Sequence, residues 1–492
     1  MLSVADSEDM ASRIEVVFRD QWREINVSVS GTPLVVPPGL EVAERSMHRI
    51  VYVPARVSPL GSADVLAGSV PLLYFGSNGL QVSYLDIPPP LPLTLTDLMT
   101  MWDLVVDLGL PIPSSVLAQG RLLPGKAASG LMLMPELLDR AHAAARQLVA
   151  SWPTKEDQGR IWRALELPGG REDLPGTDRH AGRFPVQVDD WGLRFPIKSL
   201  RRVRRDRRWT SQALHQTAAR LVRLVDELLK EAEPRARDTM LQPLHQVAEL
   251  ARPPVTRLDP PFSAWPLSAR SCLRAFTMAL RLIESTRSSE GAARAPLSHL
   301  WRLYEAWTAA LCFAVLDRNS TFTRENGPEK TEGAEWLTTW RHATGTRVVL
   351  IAQADIGREP RDFGGILPEG LFSVTSTLRP DIIMCIVKPG NELSIIALDA
   401  KRRSASSMDP RDAAEAASKY VWGIRLGDST LQVDVGKAHV TRTLLATTAA
   451  PPLMISPRSR IVAVRVLPNL PDTELRDAII QSLDSAGLSV TS

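Results

Sequence analysis

Two nearly unbroken apolar runs, Ile382–Val387 and Leu393–Leu398, flank the segment Lys388-Pro389-Gly390-Asn391-Glu392 and constrain this chain more than any other stretch. A strand with one wet face alternates apolar and polar residues. A strand apolar at every position is covered on both faces, as in the centre of a layered sheet. Pro389-Gly390-Asn391 is turn chemistry, because proline presets φ while glycine and asparagine tolerate positive φ. The pattern therefore predicts a buried hairpin. Beyond the turn, charge returns at the outer ends of its two strands, as Asp381 on one and Asp399 and Lys401 on the other.

The turn also sets the register. Centred on Gly390, it places Asp381 directly opposite Asp399, with Cβ atoms ~4.5–5.5 Å apart. Lys401 lies two residues beyond Asp399, so period-two alternation returns it to the same face. Two facing carboxylates repel unless a cation joins them. Carboxylate oxygens with waters and a phosphate oxygen suit Mg²⁺ or Mn²⁺, and such a metal promotes hydrolysis of a phosphoryl group. Lys401 would orient or help deprotonate the attacking water and offset developing negative charge. The plain alternative for each aspartate is a solvated strand end.

A third acid belongs to the same reading. A helix expected over 296–317 carries Leu297, Leu300, Trp301, Tyr304, Leu311 and Val315 along one stripe, and Glu305 lies just beside it. At the edge of the face that packs on the sheet, Glu305 would supply a metal ligand or a contact one layer out. Otherwise it is an ordinary exposed helix residue.

A chain of 492 residues is too long for one ordinary core. Residues 1–90 read as a β-rich domain, with short runs at 14–18, 25–29, 50–53 and 72–75 parted by Gly, Pro and Ser. Pro88-Pro89-Pro90 marks its end. Residues 91–290 read as mainly helical, with segments near 95–108, 133–150, 214–228, 236–251 and 266–285. From 291 to 492 the pattern becomes α/β, a mixed sheet flanked by helices. Strands are expected at 336–343, 346–354, 379–387, 393–401, 440–448 and 460–467, with helices near 409–425 and 472–487.

Within the middle region Lys198, Arg201, Arg202, Arg204, Arg205, Arg207 and Arg208 stand against Asp206 alone. Such a run clamps a phosphate backbone, or it is a solvated helix start or a patch for an acidic protein. A formal net charge of +3 means that any nucleic-acid affinity is local. Cys272, Cys312 and Cys385 lie far apart inside apolar runs, which argues for buried thiols and against a zinc site. The eight histidines form no catalytic spacing and no Walker loop occurs, so nucleotide hydrolysis would fall to another subunit. Trp301, Trp307 and Trp422 read as core residues. With neither a signal pattern nor a run of ~18 apolar residues, a cytoplasmic protein is expected.

Glu305, then Pro380-Asp381 opening one strand, then Asp399-Ala400-Lys401 closing the next, resemble the PD-(D/E)XK nuclease superfamily over roughly residues 290–470. Phe372 to Asp381, followed by Leu398 to Arg402, looks like its McrC-like branch of restriction and phage-defence proteins. The resemblance implies a restriction-endonuclease-like fold and Mg²⁺-dependent cleavage of DNA. It also implies an oligomeric assembly with an AAA+ GTPase or ATPase partner. In this branch a helix after the second acidic strand often carries a lysine, glutamine or tyrosine near the site. Ser418-Lys419-Tyr420-Val421-Trp422 is the corresponding stretch, with Lys419 as the candidate. Arg402 stands where an aromatic residue often follows the lysine, and the spacer 318–378 is long. Other readings stay open: a non-catalytic scaffold or motor activator, an RNA-directed nuclease, or a regulatory DNA-binding protein.

Overall fold

The computed structural model describes residues 13–55, 65–112, 134–152, 210–229, 234–253, 265–288, 294–401, 417–427, 440–448 and 460–490, with isolated positions at 116, 186–188, 194–196, 262, 411 and 415, and without 22, 35, 38, 77–78 and 375–376. The arginine-rich run from Lys198 to Arg208 lies outside the described residues. Among those described, no helix is long and apolar enough to cross a membrane.

The amino-terminal region is β-structure, as its short apolar runs predict. Strands β1 (Arg13–Arg19), β2 (Glu24–Ser30), β4 (Leu40–Arg45) and β5 (Arg49–Pro54) form one sheet in the order β2-β1-β5-β4. Strands β3 (Thr32–Pro33), β6 (Leu66–Gly76), β7 (Gly79–Ile87) and β10 (Ser298–His299) form a second. The inner faces share a core of Val16, Phe18, Tyr52, Leu72, Leu85 and Leu297. A two-stranded ribbon, β8 (Val186–Val188) with β9 (Arg194–Pro196), is separate from both.

Helices follow at α1 (Leu95–Asp107), α2 (Met134–Ala150), α3 (Gln212–Leu228), α4 (Pro234–Ala251) and α5 (Leu267–Ser288). α1 starts at a capping box, in which the Thr94 hydroxyl accepts from the Asp97 N–H and the Asp97 carboxylate accepts from the Thr94 N–H. α2 to α5 bury their apolar stripes against one another. α1 does not join them. Its Leu98, Met101, Trp102 and Val105 pack in the core of the carboxy-terminal region, and the Trp102 indole donates to Ser298 Oγ at 3.0 Å.

That carboxy-terminal region is mixed α/β, built on an eight-stranded open sheet. Its strands are β11 (Phe322–Arg324), β12 (Glu329–Thr331), β13 (Ala334–His342), β14 (Arg347–Ala352), β16 (Ile382–Val387), β17 (Leu393–Lys401), β19 (Val440–Thr447) and β20 (Ile461–Arg465). They run β11-β13-β14-β16-β17-β19-β20, with β12 also on β13. Neighbours from β11 to β17 are antiparallel, whereas β19 lies parallel to β17 and β20 parallel to β19.

β16 is apolar at every position and β17 nearly so from Leu393 to Leu398, because both faces of the sheet are covered. On one side lie α6 (Leu300–Asp317), α7 (Thr473–Ser485) and α1, against Ile382, Met384, Ile386, Ile396 and Leu398. On the other, Ile383, Cys385, Ile395 and Ala397 pack with Phe363, Tyr420, Val421 and Ile424. This second layer includes the ribbon of β15 (Gly370–Ser373) and β18 (Ile424–Gly427). A slip of one residue would exchange the two sets of side chains, so the double cover locks the register.

Two boundaries and the burial of one tryptophan differ from expectation. α6 starts at Leu300 because Ser298 and His299 pair with β6 instead. It is also buried nearly all round, through Leu303, Tyr304, Trp307, Ala310, Phe313 and Leu316, as a helix between two layers must be. The helix expected to reach residue 425 ends in a π-helical turn, Ala417–Val421, before β18. Gly423 allows that change, since a Cβ there would lie 2.1 Å from the Lys419 carbonyl oxygen and 2.9 Å from Leu378. Trp422, expected in the core, is 58% exposed on the strand side of this turn, while Trp307 is buried and Trp301 half-buried.

Candidate functional site

The hairpin has the register read from its turn: Ile382 pairs with Leu398, Met384 with Ile396 and Val387 with Leu393. One step outward, Asp381 stands opposite Asp399. Gly390 (φ 92°) and Asn391 (φ 66°) take the positive φ that the turn demands. The Asn391 N–H closes the turn on the Lys388 carbonyl at 3.0 Å. β14 adds a third member. Ala352 pairs with Ile382, and the Gln353 N–H then donates to the Asp381 carbonyl at 2.8 Å. Gln353, Asp381 and Asp399 thus form one row across three adjacent strands at the same end of the sheet.

Both aspartates are buried, at 7% and 5% exposure. Asp381 Oδ2 accepts from the Ala400 N–H at 2.7 Å, and its Oδ1 accepts from Gln353 Nε2 at 3.1 Å. Burial holds the Asp381 carboxyl well above the usual carboxylate range. The charges of Glu305 and Asp399 and a hydrogen bond shared with Asp399 push the same way; the Ala400 N–H only partly opposes them.

Glu305 enters from α6. Its Oε2 accepts from Gln353 Nε2 at 2.9 Å and from Arg302 Nη1 at 2.8 Å. Gln353 therefore bridges the helical acid to the strand acid, and Glu305 meets Asp381 one layer out. Arg302, Glu305, Glu335, Gln353 and Asp381 line a small cleft over Trp336. Burial pushes the Glu335 carboxyl up to about 7, with Arg302 pulling it down, Glu305 pushing it up and Lys330 pulling it down.

Tyr420 completes the far side. It is 1% exposed and hydrogen-bonds Asp399, and its hydroxyl is raised above the usual phenol range by burial and then by the charges of Asp399 and Asp381. The neighbouring Lys419 turns to the surface. Its ammonium is 3.9 Å from Glu415 and 5.9 Å from the Tyr420 ring centre. Of this segment, the structure brings Tyr420 and not Lys419 to the acids. Lys401 ends β17 opposite Thr447 of β19, and its side chain lies outside the described residues.

The sequence reading passed over Gln353, Tyr420, Arg302 and Glu335. Tyr420 lay within the segment flagged after β17. Gln353 had a faint signal, as the first polar residue after the apolar run of β14.

Among the described residues, no three His, Cys, Asp or Glu side chains converge as a ready-made metal cage. The donor set nonetheless fits a hard divalent cation that keeps part of its water. Mg²⁺ is commonly held by one or two carboxylates plus substrate phosphate oxygens, and a facing, desolvated pair supplies those carboxylates. Compared with known proteins, the chain matches no family model, no curated protein and no solved structure.

Proposed function

We propose that the carboxy-terminal region is a metal-dependent nuclease of the PD-(D/E)XK type that hydrolyses phosphodiester bonds in DNA. The observation carrying this reading is the row itself: two buried aspartates that face each other on adjacent central strands. The wider layout agrees, since a helix bearing an acid precedes an antiparallel meander, and a crossover leads to a parallel strand. That is the order expected of a restriction-endonuclease-like core.

In this reading Asp381, Asp399 and Glu305 would hold Mg²⁺ or Mn²⁺, which would supply Lewis-acid polarisation of the phosphoryl group and a bound water of lowered pKa. The Tyr420 hydroxyl fixes Asp399, and the Ala400 N–H fixes Asp381, so neither carboxylate has to be ordered on binding. Glu305, anchored by Arg302, bounds the cleft on the helix side. Lys401, two residues along β17 from Asp399, orients the attacking water and offsets the charge that develops on the phosphate. Exposed cations near the site, Arg379 and Lys419, suit a phosphate backbone, and the run Lys198–Arg208 would extend that contact. A role as the nuclease subunit of a restriction or anti-phage system, working with an AAA+ partner, follows from the resemblance.

The test is incubation of the full chain with plasmid and phage DNA in Mg²⁺ or Mn²⁺, beside Asp399→Ala and Lys401→Ala. Metal-dependent cleavage lost in both folded variants supports the reading. Equal cleavage by all three proteins rejects the assigned site.

A further inference from the structure

Gln353 carries a feature that the nuclease reading does not use. Its backbone sits at φ 51°, the left-handed region that non-glycine residues seldom adopt. The strain persists because the Gln353 N–H is tied to the Asp381 carbonyl at 2.8 Å, while its side chain spans two acids. A carboxamide NH₂ carries two hydrogens. Here one nitrogen is 2.9 Å from Glu305 Oε2 and 3.1 Å from Asp381 Oδ1, so each acid receives one. Arg302 pairs with the same Glu305 oxygen at 2.8 Å, but it is the amide that presents its positive end between the two carboxylates and bridges them, as a shared cation would.

We infer that Gln353 is a stand-in for the cation: its amide holds Glu305 and Asp381 together in the metal-free protein and is released when a divalent cation binds. The identity of the cation rests on the nuclease reading; the competition between amide and metal goes beyond it. Gln353 acts through the acids and is a positioning residue. Its amide keeps the cleft assembled between turnovers and sets a threshold that metal binding must overcome. Removing it therefore weakens the empty protein and strengthens its grip on metal, opposite signs that an ordinary structural hydrogen bond would not produce.

The experiment compares the full-length wild type with Gln353→Met, which keeps the side-chain length and removes both donors. Mn²⁺ affinity is measured by calorimetry, and unfolding temperature in EDTA and in saturating Mg²⁺. The variant should unfold at lower temperature in EDTA, recover most of the difference in Mg²⁺, and bind Mn²⁺ about tenfold more tightly, the scale of a lost hydrogen bond to a charged group. Unchanged or weaker Mn²⁺ affinity, or equal destabilisation with and without metal, overturns the inference. If the Met variant does not fold, Gln353→Leu is read the same way, because it also removes both donors and adds no carboxylate that could bind the metal itself. A wild type that cleaves DNA and binds Mn²⁺, beside a variant of unaltered affinity, sinks the stand-in role alone. A wild type that neither binds Mn²⁺ nor cleaves sinks both this role and the nuclease reading.

Discussion

The two ends of the β16–β17 hairpin share the same strands and the same apolar core, yet treat charge in opposite ways. At the turn end, Lys388 and Glu392 lie 3.6 Å apart with the Glu392 side chain 70% exposed, an ion pair largely screened by water. At the other end Asp381 and Asp399 are both nearly buried, capped by Tyr420 on one side and by Gln353 and Glu305 on the other. A charged residue at a strand end is ordinarily there to meet solvent. Here one end does so, while the other has been covered by two further layers that desolvate its carboxylates. Packing alone gives no reason to bury two like charges, and that contrast marks the acid end as the place where chemistry is expected.

The contrast breaks most sharply by neutralising one charge at each end. Asp381→Asn should lower metal-dependent cleavage by ~10²- to 10⁴-fold, the range for losing an acid–base or electrostatic contribution. Lys388→Ala and Glu392→Ala should leave cleavage unchanged and shift stability by no more than ~0.5 kcal/mol in urea titrations. Similar effects at the two ends would remove the distinction.

A smaller effect is expected at the cap. Tyr420→Phe removes the hydroxyl that holds Asp399 and should cost ~1–3 kcal/mol of unfolding free energy, as for a hydrogen bond to a buried charged group. Denaturant unfolding checks this, and a loss no larger than that of Lys419→Ala would mean that Asp399 does not depend on Tyr420.

The mildest effect lies in pH dependence. Asp381 and Glu335 both have carboxyls raised on folding, Glu335 to about 7 from an ordinary 4.5. A raised carboxyl binds more protons in the folded state, so its contribution is full below the ordinary carboxylate range and is lost as pH climbs through the folded value. The metal-free protein should therefore lose thermal stability between about pH 4.5 and about 7 through Glu335, with Asp381 adding to the loss above the ordinary carboxylate range. Glu335→Gln should flatten the Glu335 part. Unfolding temperatures that rise over the same interval in both proteins would contradict the assignment.

Much of the fold was legible because its signals are local. The apolar stripes of α3, α5 and α6, the short runs of β1, β2, β5 and β6, and the Pro-Gly-Asn turn each depend on neighbours within a few residues. The errors share a cause as well. Ser298 and His299 left the expected helix for a pairing with β6, more than two hundred residues earlier in the chain. Trp422 looked like core by composition, but the π-helical turn at Ala417–Val421 carries it outward while Tyr420 goes in.

The same division holds at the site. The sequence by itself placed Asp381 opposite Asp399 for a turn centred on Gly390, because a period-two strand carries the register of the turn outward. Only the tertiary structure decided what surrounds them. Gln353 is 28 residues from Asp381 and 48 from Glu305 along the chain, and it meets both only because β14 pairs with β16 while α6 packs across that end of the sheet. Tyr420 reaches Asp399 only through the layer that covers the sheet's other face. Local geometry propagates along a strand by steric rule; contacts between layers depend on how whole elements share a core, and no short segment encodes that.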